Sequence, residues 1–168
     1  MKNNSMTQIA KLVLVIVCAV FSFTSVKAQS QQAPSKEQFL STISAQEWLE
    51  TMQPEASYPI FEQVLFSLNY AVTYPQDAKS AELLDKSKTL IAKLDGMKSA
   101  DRSDVATLKG FYYTALIVQN TTENGPKYYK DALNNYTEAL RLNLDNKLAQ
   151  FLKAKFDEGM KAVLESKE

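Results

Sequence analysis

Asp131-Ala-Leu-Asn-Asn-Tyr-Thr-Glu-Ala-Leu-Arg-Leu-Asn-Leu-Asp-Asn146 decides how the rest of the chain is read. Ala132, Tyr136 and Ala139 fall three and four residues apart, and Tyr129, Leu133 and Leu140 widen the same stripe. Side chains at that spacing share one face of an α-helix. A small-large-small succession along such a face lets a second helix approach closely at the alanines while the tyrosine fills the space beside them. The stretch therefore predicts a helix built to pack against a partner, and the question becomes where the partner lies.

Outward from that stretch the periods are helical throughout, and no run alternates with period two. Only four glycines and five prolines punctuate the chain, too few turn residues for a β-sandwich. One helix opens at Pro59 and carries Phe61, Val64, Leu65, Leu68 and Val72 before Pro75. The next runs over 78–94 with Leu83, Leu84, Ser87, Ile91 and Leu94 on one face and Gly96 as its stop. A third starts at Ser103 or Asp104; it is apolar on most sides (Leu108, Phe111, Tyr112, Tyr113, Ala115, Leu116, Ile117, Val118), which predicts a central position. Asn124-Gly125-Pro126 predicts a turn before the helix of the opening stretch. A last helix from Asp145 or Asn146 aligns Leu148, Phe151, Leu152, Phe156, Met160 and Val163.

These helices repeat one another. The small residues Ser67, Gly110 and Ala154 lie 43 and 44 apart, preceded at two positions by Leu65, Leu108 and Leu152. On the intervening helices Ser87 and Ala132 are 45 apart, and each is followed four residues later by a large residue, Ile91 or Tyr136. A fixed period of this length is the mark of stacked helical hairpins. Residues 131–146 resemble the second helix of a tetratricopeptide repeat, with Ala132, Tyr136 and Ala139 at its small, aromatic and small positions, and Gly110-Phe-Tyr-Tyr113 resembles its first helix. Ala106 stands where that family usually has an aromatic, Leu144 where it has a proline, and each hairpin exceeds the usual length of about 34 residues. The extra length is expected as loops around 74–78 and 120–128. With Gly125-Pro-Lys-Tyr128, the whole also resembles exported, tetratricopeptide-like proteins of Gram-negative bacteria. The resemblance implies an all-α fold: a short right-handed stack of hairpins, a tetratricopeptide-like α-solenoid over 57–165, with the last helix as its cap.

The start of the chain is of another kind. Lys2 and Lys11 precede the apolar run Leu12–Phe23, and Val26 and Ala28 occupy the −3 and −1 positions of a cleavage site. This predicts a secretory signal over 1–28, cut between Ala28 and Gln29. The apolar run has 12 residues, against about 20 for a membrane span. Val17 before Cys18 is not the small residue that a lipoprotein signal requires. The mature chain would then be periplasmic or extracellular, lack cysteine, and carry no membrane span. A polar leader (29–34) and an N-terminal helical segment (35–56), opened by the capping box Ser35-Lys-Glu-Gln38, precede the repeats, and 166–168 form a frayed tail. Losing Lys2, Lys11 and Lys27 leaves sixteen basic against nineteen acidic residues, a mild net charge of −3.

Composition then removes most chemistry. The 168-residue chain has no histidine and a single cysteine, Cys18, which excludes His-based triads, most transition-metal sites and a disulfide framework. A formal net charge of zero gives no electrostatic footprint for nucleic acid. Glu123, Asp131, Glu138, Asp157 and Glu158 show no spacing that forces two carboxylates together, so a solvated face explains them. No catalytic residue, cofactor or metal is expected. Most tyrosines and phenylalanines read as packing between hairpins. Phe111 is expected to differ, because one residue past Gly110 the family's first helices face a concave groove. In that register Leu68, Thr114, Lys155 and Glu158 also line it. The expected function is a non-catalytic module binding a protein or peptide in this shallow groove, with an aromatic anchor among polar groups. So small a groove would gain avidity from homo-oligomerisation. The alternative is a small apolar ligand held between the aromatic helices.

Overall fold

A computed structural model describes residues 59–165, and within them every regular element is a helix. The signal segment 1–28, the leader 29–34, the N-terminal helical segment 35–56 and the tail 166–168 lie outside the described residues. The five helices are α1 (Ile60–Thr73), α2 (Ala78–Gly96), α3 (Arg102–Gln119), α4 (Thr121–Leu142) and α5 (Lys147–Glu165). Among the described residues no helix is long and apolar enough to cross a membrane.

The helix starts follow from local chemistry. Asp77 caps α2 by accepting from the backbone N–H of Lys79, and Asp101 caps α3 by accepting from that of Asp104. Asn146 caps α5 by accepting from Ala149 N–H at 3.0 Å. The stripes read from the sequence point inward: Val64, Leu65, Leu68, Leu83, Leu84, Ser87, Ile91, Leu94, Leu108, Ala132, Tyr136, Leu148, Leu152 and Phe156 are all buried.

α3 packs against each of the other four helices, as its all-round apolarity predicts, and most strongly against α4. α1 pairs with α2, and α5 leans on both α3 and α4. Gly110 permits the closest approach: a Cβ there would sit 2.8 Å from Cδ1 and 2.9 Å from Cε1 of the Tyr136 ring. The Tyr136 hydroxyl, drawn inside with its ring, lies 3.0 Å from Thr114 Oγ1. Because Thr114 already donates its one hydroxyl hydrogen to the Gly110 carbonyl at 3.0 Å, Tyr136 is the donor between the two. Burial drives the Tyr136 phenol well above its ordinary pKa, so it stays protonated and keeps that bond.

A buried polar junction ties the start of α3 to the end of α4 and the start of α5. Ser103 Oγ donates to the Ala139 carbonyl at 2.8 Å, and Asn146 Nδ2 donates to Ser103 Oγ and to Asp104 Oδ1, both at 2.9 Å. Both amide hydrogens and the carbonyl oxygen of Asn146 are thus engaged, as a side chain only 3% exposed requires. The alanines Ala106, Ala139 and Ala149 pack together beside this junction.

Two expectations about the helices need correction. Asn124-Gly125-Pro126 does not break the chain: α4 begins at Thr121 and runs through all three residues, so the second hairpin gains its length as helix and Asn120 alone separates α3 from α4. The local turn preference is overridden by a cap. Asn120 accepts from Glu123 N–H, its amide donates to the Glu123 carboxylate at 3.0 Å, and Asn124 Nδ2 donates to the Leu116 carbonyl at the end of α3, 2.7 Å away. Between α1 and α2, by contrast, the expected loop is present over Tyr74–Asp77. The second correction is Ala154, which is exposed rather than at a tight helix contact. The buried small residue of α5 is Ala149, five residues earlier, in contact with Ala106 and Ala139, while Leu152, aligned with Leu108 by the same offset, is buried.

Candidate functional site

The five residues expected to line a groove do not come together. Leu68 is fully buried and Phe111 is 4% exposed, both within the main core. Thr114 is half-buried and serves Tyr136. Lys155 and Glu158 are exposed neighbours on α5, paired at 3.2 Å. The exposed aromatic anchor assigned to Phe111 is therefore corrected to a core residue. Gly110 fixes the rotation of α3 by facing Tyr136, and Phe111 lies about 100° further round. With helices packed against α3 from α1, α2, α4 and α5 alike, that direction still meets protein. On α5, Leu148, Leu152 and Phe156 are buried, whereas 154, 155 and 158 are exposed.

The structure assembles a different group. Tyr112 and Tyr113 are adjacent on α3 with ring centroids 5.7 Å apart, edge to face, and Tyr113 lies 5.7 Å from Tyr128 of α4. All three rings are half-buried. Lys127 sets its ammonium 4.8 Å from the centroid of Tyr128, a cation–π contact at the rim, and its bond to Tyr128 raises its pKa. Burial raises the Tyr112 phenol, with the negative charge of Asp85 on α2 adding to the shift. The cluster thus spans the α3–α4 contact, with the charge of Asp85 on α2 felt at Tyr112 and the amine of Lys127 at Tyr128.

Each member arrives by a simple route. Consecutive residues on a helix diverge by about 100°, so Tyr112 can turn toward α2 while Tyr113 turns toward α4. Tyr128 is reached because α4 stays helical through Gly125 and Pro126. A phenol presents both a flat apolar face and a hydrogen-bonding tip, so a patch of three offers stacking area with polar ends. Among the described residues no group of three His, Cys, Asp or Glu side chains could hold a metal ion.

In the sequence Tyr112, Tyr113 and Tyr128 group with the packing aromatics, and their convergence depends on how two separate helices, α3 and α4, pack. Ser103 and Asn146 appeared there only as alternative helix starts. Their 43-residue separation, matching the offset between Ser67 and Gly110, was the available signal that they meet. No protein-family model, curated protein or solved structure matches the chain.

Proposed function

We propose that this chain is a helical-repeat module that works by holding a polypeptide partner, without catalysing a reaction. Support for the repeat comes from burial that recurs in step. Val64 and Thr107, Leu65 and Leu108, Ser67 and Gly110, and Leu68 and Phe111 are buried 43 residues apart. Ser87 and Ala132, Ile91 and Tyr136, and Leu94 and Ala139 are buried 45 apart. On this reading α1–α2 and α3–α4 are two tetratricopeptide-like hairpins, with α5 as their cap.

The observation that carries the binding role is the half-buried tyrosine cluster on α3 and α4, with Lys127 and Asp85 beside it. Tyrosines give contact area at low cost in side-chain entropy and are enriched in protein interfaces. The binding surface thereby moves from the groove expected around Phe111 to the junction of α3 and α4. Export, carried by the signal read in residues 1–28, places the partner in the cell envelope or outside the cell.

The test compares wild type with Tyr113→Ser/Tyr128→Ser as bait on envelope extracts, with Lys155→Ala/Glu158→Ala as control. The first pair should lose the captured polypeptide at a temperature where circular dichroism shows it folded, while the control retains it. Equal capture by all three proteins removes the cluster from the proposal. A small molecule retained by wild type in native mass spectrometry, with no polypeptide, replaces the partner with an apolar ligand. Intact mass of the envelope form should begin at Gln29; retention of residues 1–28 overturns the export reading.

A further inference from the structure

The Asn124-Gly125 pair has a chemistry that its helical setting holds back. Asparagine followed by glycine is the dipeptide most prone to spontaneous cyclisation, because no Cβ shields the following amide nitrogen. In that reaction the Gly125 nitrogen bonds to Asn124 Cγ, ammonia leaves, and the Gly125 nitrogen loses its proton. Water then opens the cyclic imide to aspartate or isoaspartate. No oxidant is needed, and water is the only co-reactant.

In the fold the Asn124 side chain is held elsewhere and its own backbone N–H is fixed by the turn that starts the helix. Asn124 Nδ2 donates to the Leu116 carbonyl at 2.7 Å, and Asn124 N–H is bonded to the Asn120 carbonyl at 2.8 Å. Gly125 lies within α4, where its N–H is directed back along the helix and away from the Asn124 side chain. One weakness is built into the same turn: Pro126 has no N–H, so the helix cannot form its bond to the Thr122 carbonyl. We propose that Asn124 is a deamidation site gated by unwinding of the first two turns of α4, so that conversion records how often the α3–α4 elbow opens. The product would hold the elbow poorly. Aspartate presents an acceptor to the Leu116 carbonyl where a donor stood, and isoaspartate adds a backbone atom inside the helix.

The full chain is incubated at mildly alkaline pH, folded or in urea, and asparagine conversion is followed site by site by peptide mapping that separates aspartate from isoaspartate. In urea, Asn124 should convert ahead of Asn120, Asn134, Asn135, Asn143 and Asn146; folded, its rate should fall at least tenfold. Pro126→Ala, which restores the missing helix bond, should slow the folded-state rate severalfold further while leaving the urea rate unchanged. Equal rates in the folded and urea states overturn the gating. So does a Pro126→Ala rate equal to wild type in the folded state, because conversion would then pass through global unfolding. If Asn124 does not lead in urea, the site itself is withdrawn.

Discussion

The helix pairs α1–α2 and α3–α4 bury several residues at matching spacings but settle the contact between their helices differently. In α3–α4 the large residue is Tyr136, and its partner must be Gly110, since a Cβ there would lie within 3.0 Å of three ring atoms. In α1–α2 the corresponding residues are Ile91 and Ser67, both buried. The connections differ too: four residues, Tyr74–Asp77, in the first hairpin and Asn120 alone in the second. Between α3 and α4 the constraint is a volume shared by two side chains, not the size of either one alone. Where one partner grows to a tyrosine the other shrinks to glycine, and the tyrosine hydroxyl then needs its own acceptor, Thr114.

The largest effect expected from breaking this arrangement is Tyr136→Ala. It removes a fully buried ring that stands 5.8 Å from Phe156, and should cost about 3–5 kcal/mol. Phe111→Ala should cost a similar amount, about 3–5 kcal/mol, because Phe111 is a core residue. Urea melts of both variants check this. A Phe111→Ala protein as stable as wild type would return Phe111 to an exposed groove and undo the placement of α3.

A smaller, more diagnostic loss is expected for Gly110→Ala. Alanine in place of a mid-helix glycine ordinarily stabilises by up to about 1 kcal/mol. Here the new methyl meets the buried Tyr136 ring, with an overpacking cost of about 1–3 kcal/mol. The net change should be destabilising. In a Tyr136→Leu background the same substitution should lose most of its penalty, a coupling of about 1 kcal/mol or more. Additive effects in that double-mutant cycle would mean that the two residues do not share the space assigned to them.

What the sequence made legible was periodic. The inward faces of α1, α2 and α3 follow from three- and four-residue spacing, and the central place of α3 from apolar residues on all sides. What it hid was decided between elements. Asn-Gly-Pro signals a turn locally, and only the Asn120–Glu123 cap together with the Asn124–Leu116 bond explains why the helix wins. Ala154 was aligned by residue type on a helix whose buried small residue is Ala149. The family register one residue past Gly110 points Phe111 into a groove, whereas α3 is packed by all four other helices and Phe111 is buried. The tyrosine cluster needs both α3 and α4 before it exists, so no spacing along one of them could announce it.

The smallest expected effect separates the hairpins most finely. Ser87 and Ala132 occupy equivalent places, both fully buried, yet Ser87 carries a hydroxyl that finds no hydrogen-bond partner. In an α-helix a serine often returns its hydroxyl to the carbonyl four residues back, as Thr73, Thr107 and Thr114 do here. Ser87 does not, so its desolvation is uncompensated. Deleting the oxygen removes that cost, which is about 1–3 kcal/mol for an unsatisfied buried group. Alanine also has the better helix propensity, by a few tenths of a kcal/mol. Against these gains stands a void the size of one oxygen atom. Ser87→Ala should therefore raise stability by about 1 kcal/mol, and Ala132→Ser, its mirror in the second hairpin, should lower it by a comparable amount. Thermal melts of the two variants measured side by side should shift in opposite directions. A destabilised Ser87→Ala would mean that the hydroxyl has a partner, such as a trapped water, and that the two hairpins differ in hydration as well as in volume.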